Sequence, residues 1–303
     1  MDFQLTEEQK MFQSMVRDFA QTEIEPLAAK IDQDEMIPPD LCKKMGETGL
    51  LGIAINEKYG GSGGDYISQA IASEEISRAS GSVGAFFIAH LSLATNPIVH
   101  SASEEQKQKY LPGIAHGKTI NCFGLTETNA GSDAGALQTT ATPKGDTFVL
   151  NGNKIFITNG AEANICTLFA TVDKSAGYRG ICAFIVEKDR PGFSVGKLEH
   201  KMGIRGSSTA ELIFDNCVIP SSNMFGEKGK GLRIALEAID ASRINVAAQA
   251  IGIAQAAYDD ALAYAKNRKQ FNSPLTGFQS IQWMLADMAT SLETARLLIY
   301  KSS

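Results

Sequence analysis

Gly124-Leu125-Thr126-Glu127-Thr128-Asn129-Ala130-Gly131-Ser132-Asp133-Ala134-Gly135-Ala136 is the stretch on which the fold of this chain turns. Its glycines free the backbone for a tight turn, and Thr126 and Ser132 set hydroxyls beside exposed N–H groups, so it could approach a planar ring and a phosphate closely. Composition alone favours a plainer reading, a junction loop rich in Ser, Thr and Gly. A junction does fall here. From Leu5 to about Gly117 the signals are helical: Thr6-Glu7-Glu8 supplies an N-cap with acidic first-turn residues, and Met11, Phe12, Met15, Val16 and Phe19 follow helical spacing.

Further along this first region, Pro38-Pro39 and the glycine-rich run 59–64 predict loops. Residues 66–79 and 82–101 predict helices, and a short one opens at Ser103-Glu104-Glu105. From about Thr119 the stretches 147–150, 154–158, 165–172, 181–186 and 210–214 are β-branched or aromatic. They are separated by turns at Lys144-Gly145, Asn151-Gly152 and Asn159-Gly160. Helix returns at about Gly229, with long segments at 232–266 and 279–300. The expected class is α+β: an N-terminal helical domain (1–118), a middle antiparallel β domain (119–228) and an incomplete C-terminal helical bundle (229–303).

The last helix is the odd element. Ile281, Leu285, Met288, Leu292, Ala295 and Leu298 form an apolar stripe, yet two helices make a poor core by themselves. Either the pair docks on the first domain and on another subunit, or the chain is a fragment of something longer.

Composition narrows the function. The chain has 303 residues, 44% hydrophobic and 20% charged, enough for one large core or two to three smaller ones. Apolar runs such as 181–186 fall far short of the roughly 20 residues that span a bilayer, so no membrane span is expected. The start, Met1-Asp2-Phe3-Gln4-Leu5, lacks the pattern of a secretory signal, which places the chain in the cytoplasm. Cys42, Cys122, Cys166, Cys182 and Cys217 form no Cys-x-x-Cys pair and read as small buried apolar side chains. His90, His100, His116 and His200 show no metal-ligand spacing, so no metal is expected. A net charge of -6 offers no basic footprint for nucleic acid.

At every specified position, residues 124–136 resemble the first signature of the acyl-CoA dehydrogenase family, and the likeness runs from Phe3 to Lys301. It implies bound FAD, with Phe123, Leu125, Thr126, Gly131 and Ser132 at the cofactor and Ser132 also at CoA. The run 151–160, Asn-Gly-Asn-Lys-Ile-Phe-Ile-Thr-Asn-Gly, is similar to the family's flavin-contacting strand pair, which assigns Phe156 and Thr158 to the ring. A threonine hydroxyl beside the hydride-accepting nitrogen would tune the ring's electron affinity. Many relatives carry tryptophan where Phe156 stands, and a phenylalanine on a strand is otherwise simply core.

Arg268-Lys269-Gln270-Phe271-Asn272-Ser273-Pro274-Leu275, with Phe278-Gln279, resembles the segment that reaches the FAD of a neighbouring subunit. It implies cofactor contacts from Arg268, Gln270, Phe271 and Gln279 and a homo-oligomer, dimer or tetramer. A guanidinium suits pyrophosphate, although Arg268 also reads as an ordinary cation at a helix C-terminus. Asn272 stands where relatives usually have glycine; asparagine tolerates the left-handed backbone. Residues 201–208 and the long helix with Asp240, Ser242 and Arg243 match as well. Asp240 and Arg243 are thereby assigned to the acyl-CoA, and read alone they form an i,i+3 surface pair.

The family removes an α-proton with a carboxylate while the β-hydrogen leaves as hydride, passing electrons to an electron-transfer flavoprotein. In most members that glutamate would fall beyond residue 303, so the chain is expected to be truncated at its C-terminal end. Other members carry the glutamate on the long helix, where this sequence has Ser242, and a serine without a base cannot replace it. Glu237 should project elsewhere. The catalytic residue is therefore unassigned, and an oxidase relative or a non-catalytic FAD- and CoA-binding subunit stand as alternatives. Phe86, Phe87, Ile88 and Leu91 would wall an apolar acyl pocket or pack as helix core. No arginine lies between Ser80 and Pro97 to meet a distal carboxylate, so a short- to medium-chain monocarboxylic acyl-CoA is expected.

Overall fold

The computed structural model describes residues 4–303; Met1, Asp2 and Phe3, the start of the amino-terminal stretch read above, lie outside the described residues. Helix α1 (Glu7–Phe19) opens on a capping box in which the Thr6 hydroxyl accepts from the Gln9 N–H and the Gln9 side chain accepts from the Thr6 N–H. After α2 (Ala28–Asp34) and α3 (Pro39–Glu47), α4 (Tyr66–Ala79) starts at its Asp65 cap, and its residues 69–77 are buried. The helix expected at 82–101 is divided. It runs as α5 (Gly81–Ile88), a π-helical segment (Ala89–Thr95) and α6 (Asn96–Ser101). In the wide segment the Thr95 hydroxyl donates to the His90 carbonyl at 2.7 Å. Residues 81–101 are long and apolar enough to cross a membrane, but 83% of that window is buried inside the molecule. Helix α7 (Glu104–Ala115) closes the region on a second capping box at Ser103.

The sheet that follows is mixed. Antiparallel pairs dominate, in the order β6 (Phe193–Leu198), β7 (Thr209–Pro220), β3 (Thr147–Thr158), β2 (Thr140–Lys144), β4 (Ile165–Thr171), β5 (Ile181–Glu187) and β8 (Met224–Phe225). β1 (Asn121–Gly124) runs parallel to the first half of β4, and Thr140 of β2 pairs in parallel with Thr171 at its end. β1 and β2 therefore follow one another along a single edge of β4, and residues 125–139 are the excursion between them.

The turn expected at Asn151-Gly152 is a bulge inside one twelve-residue strand. Both halves of β3 pair with β7, with the register shifting at Gly152 (φ 142°) and again between Lys154 and Ile157. A Cβ at Gly152 would lie 2.6 Å from the Thr139 hydroxyl, so the kink needs glycine.

Helix α8 (Gly231–Asn267) packs against α4, α5 and the π-helical segment, so closely to α4 that a Cβ at Gly252 would meet the Glu74 carbonyl. Its last residues lead into a small hairpin, β9 (Lys269–Gln270) and β10 (Ser273–Pro274), and then α9 (Gln279–Ser302). Arg296 of α9 binds Glu74 of α4 at 2.8 Å, yet only Leu292 and Ile299 of that helix are buried. Trp283, Met284, Met288 and Leu298 stay exposed, as an incomplete bundle requires.

Candidate active site

Hydrogen bonds join the excursion 125–139 to the second half of β3, which extends past the end of β2. The Ile155 N–H donates to the Thr126 carbonyl at 2.9 Å, and the Lys154 ammonium donates to the Leu125 carbonyl at 3.0 Å and to Glu127 Oε1 at 2.7 Å. Glu127 also accepts from the Gln138 and Thr139 N–H groups at 2.6 and 3.0 Å, so every partner of its carboxylate is a donor. Burial pushes Glu127 upward, but Lys154 and these donors hold it below its usual range. Burial also draws the Lys154 ammonium down, against the pull of Glu127.

Next to this buried pair, Phe156 sits at φ 57° in the bulge and is 60% exposed. The core reading of Phe156 is thereby overturned: a large side chain in a left-handed backbone, left in solvent, is strain that packing does not explain. Thr126 and Thr158 are half-buried, Leu125 is buried, and Gly131 and Ser132 are exposed, with nothing within 4 Å of a Cβ built at Gly131. Phe123 is half-buried against Phe169, their ring centres 5.0 Å apart. An aromatic face, two hydroxyls and open glycine backbone along one seam suit a planar heterocycle with a phosphate tail.

The same loop borders a cleft of about 690 Å³. A Cβ at Gly135 would lie 3.6 Å from both Leu232 and Tyr178, which line it together with the basic Arg179, Lys228, Lys230 and Arg233 and the acidic Glu227, Glu237 and Asp240. Asp240 and Arg243 are exposed and form the expected i,i+3 pair at 3.7 Å, while Glu237 pairs with Arg233 at 2.7 Å. Ser242 faces inward at 2% exposure, its hydroxyl 3.1 Å from that of Ser92. No acidic side chain hydrogen-bonds either hydroxyl among the described residues. Phe86, Phe87, Ile88 and Leu91 lie in the helical core with Val16, Met45 and Leu50.

The hairpin residues do not join this group within one chain. Arg268 caps the far end of α8, and helix geometry puts about 50 Å between it and Leu232. Phe271 and Asn272 (φ 49° and 60°) occupy the two central positions of a tight turn with mirror-image geometry, and Phe271 is 93% exposed. Arg268, Gln270 and Gln279 are also exposed, and Arg268 makes no ion pair among the described residues.

A helical region, a mixed sheet with an outward-facing aromatic seam, and a long-helix region that borders a charged cleft form the scaffold of a flavin-dependent oxidoreductase acting on CH–CH bonds. The models of the acyl-CoA dehydrogenase N-terminal, middle and C-terminal domains match residues 6–118, 122–217 and 229–303. The chain belongs to the acyl-CoA dehydrogenase family, and its cofactor is FAD. It is 50% identical over 303 residues to the short-chain specific acyl-CoA dehydrogenase of Clostridium acetobutylicum, covering 100% of this chain and 80% of that one. It is 46% identical to butyryl-CoA dehydrogenase of Megasphaera elsdenii, with a TM-score of 0.96 over 99% of this chain and 80% of that one. A glutaryl-CoA dehydrogenase in complex with glutaryl-CoA is 38% identical, with a TM-score of 0.96 over 100% of this chain and 77% of that one.

Spacing did not reveal the Lys154–Glu127 pair. The two residues are 27 apart in sequence, and their one local sign, a charge in an otherwise β-forming run, is shared by many edge strands.

Proposed function

We propose that the chain binds FAD and a short- to medium-chain monocarboxylic acyl-CoA for α,β-dehydrogenation, with electrons passing to an electron-transfer flavoprotein. The observation that supports this reading is that one loop, 125–139, is bonded to the Phe156 strand through Thr126 and reaches the lining of the charged cleft through Gly135. Bound FAD supplies the hydride acceptor. Phe156 would stack on its ring, Thr126 and Thr158 would offer hydroxyls to its polar edge, and Ser132 would contact both flavin and CoA. Arg179, Lys228 and Lys230 in the cleft answer the phosphates of CoA, with Asp240 and Arg243 at its rim. Arg268, Gln270, Phe271 and Gln279 serve the FAD of a neighbouring subunit, which makes the protein a homo-oligomer and accounts for an aromatic held out of its own fold.

A second reading, an FAD- and CoA-binding subunit without turnover, is favoured by Ser242, which has no carboxylate partner. One experiment separates the two. The purified chain is examined for the visible flavin spectrum and then mixed with butyryl-CoA without oxygen. Bleaching supports dehydrogenation, a yellow protein that does not bleach supports the binding subunit, and a colourless protein refutes both. Preference for glutaryl-CoA over butyryl-CoA would refute the monocarboxylic assignment. Faster reoxidation by air than by electron-transfer flavoprotein would point to an oxidase.

A further inference from the structure

The half of β3 that carries Phe156 and Thr158 has no β2 alongside it, because β2 pairs only with residues 147–151. Where the next ladder strand would run, the chain has the loop that leaves β1. A single backbone bond, Ile155 N–H to the Thr126 carbonyl, spans this gap. The remaining links converge on one buried ammonium: Lys154 holds the Leu125 carbonyl and Glu127, and Glu127 in turn holds the Gln138 and Thr139 N–H groups where the loop rejoins the sheet. The Thr139 hydroxyl returns to the Asn153 carbonyl at 3.4 Å, closing the circuit one residue before Lys154.

We propose that Lys154 and Glu127 are positioning residues for the flavin, setting the spacing between the two lips of its site. One lip carries Leu125 and Thr126; the other carries Phe156 and Thr158. Neither charged side chain reaches the seam surface, since Lys154 is fully buried and Glu127 nearly so, and both act through the backbone they fix. The bulge between Lys154 and Ile157 makes the arrangement necessary. It turns Phe156 outward at the cost of a left-handed residue, a conformation that persists only when its surroundings enforce it. A buried ion pair is a weak source of net stability, but it fixes geometry, because each charge is tolerated only with its partner in place.

The proposal rests on the flavin reading of the seam, and the test keeps the two apart. Apoprotein is titrated with FAD, following flavin fluorescence and the shape of the visible band, while thermal unfolding is recorded without FAD. Lys154→Met leaves Glu127 unpaired and is expected to lower Tm sharply. Adding Glu127→Gln removes the second charge and is expected to return Tm to within about 3 °C of the parent, while FAD affinity stays weaker by about tenfold or more. Glu127→Asp, which keeps the charge pair but draws the loop inward by one methylene, is expected to keep most of its Tm and also to bind FAD more weakly. If the double variant recovers both Tm and FAD affinity, or if Glu127→Asp binds FAD as the parent does, the pair is structural only and the proposal fails. If the parent itself binds no FAD, the flavin reading fails instead.

Discussion

The Tyr110 hydroxyl donates to Glu187 Oε1 at 2.6 Å, and Lys109 Nζ reaches the same oxygen at 3.0 Å. This contact ties α7 to β5, and Asn223 Nδ2 adds a further bond at 2.9 Å. Burial works to raise the Glu187 carboxyl, but Tyr110 and Lys109 outweigh it and leave it at about 2; burial and that carboxylate push Tyr110 up to about 12.

Glu187 should therefore make stability depend on acid. Its folded pKa lies below its unfolded value, so its contribution is present above about pH 4.5 and is lost as pH falls toward 2. Denaturant unfolding across that window is expected to show a decline that Glu187→Gln flattens. The variant should be less stable at neutral pH by about 2 kcal/mol, a figure reduced for partial solvent screening. Equal slopes in parent and variant would contradict the assignment.

Phe156 offers a trade between stability and cofactor. Replacing it with glycine relieves a left-handed conformation costing about 1 kcal/mol and loses little packing, so Tm should not fall. FAD affinity should drop at the same time. A variant that loses Tm in parallel with FAD would show that Phe156 belongs to the core after all.

The basic side chains of the cleft predict a loss specific to the nucleotide end of the substrate. Arg179→Ala and Lys228→Ala are each expected to weaken CoA binding by about 1 kcal/mol, roughly fivefold, at low salt and by less at high salt. Calorimetry with CoA and with pantetheine provides the check: similar losses for both ligands would place the phosphates elsewhere.

Ser242 predicts a gain of chemistry. A glutamate there would be buried beside Ser92, with its pKa raised by desolvation toward the range of a general base. With butyryl-CoA in the absence of oxygen, the flavin of Ser242→Glu should bleach faster than that of the parent. Bleaching of the parent at the same rate would locate the base elsewhere.

Much of the architecture is legible in the sequence because local rules specify it. The Thr6, Asp65 and Ser103 caps start their helices where expected, and Gly145 turns β2 into β3. What fails is non-local. Asn151-Gly152 has the chemistry of a hairpin turn, yet β7 pairs with both sides of it and keeps the strand extended. The stretch 82–101 has one helical period throughout, and nothing in that period announces the wider turn around His90. The exposure of Phe156 follows from a bulge set by β7, and the Lys154–Glu127 contact from the meeting of β1, β2 and β3; neither can be read from spacing.

The inward ammonium of Lys154 also bears on how the sheet finds its pairing during folding. Two bulges interrupt the alternation of β3, so apolar periodicity gives weak guidance beyond Leu150. A one-residue slip against β7 would strand the ammonium away from Glu127 and turn Phe156 toward the interior. A charge that finds its partner in one register alone thus disfavours alignments that hydrophobicity alone would tolerate.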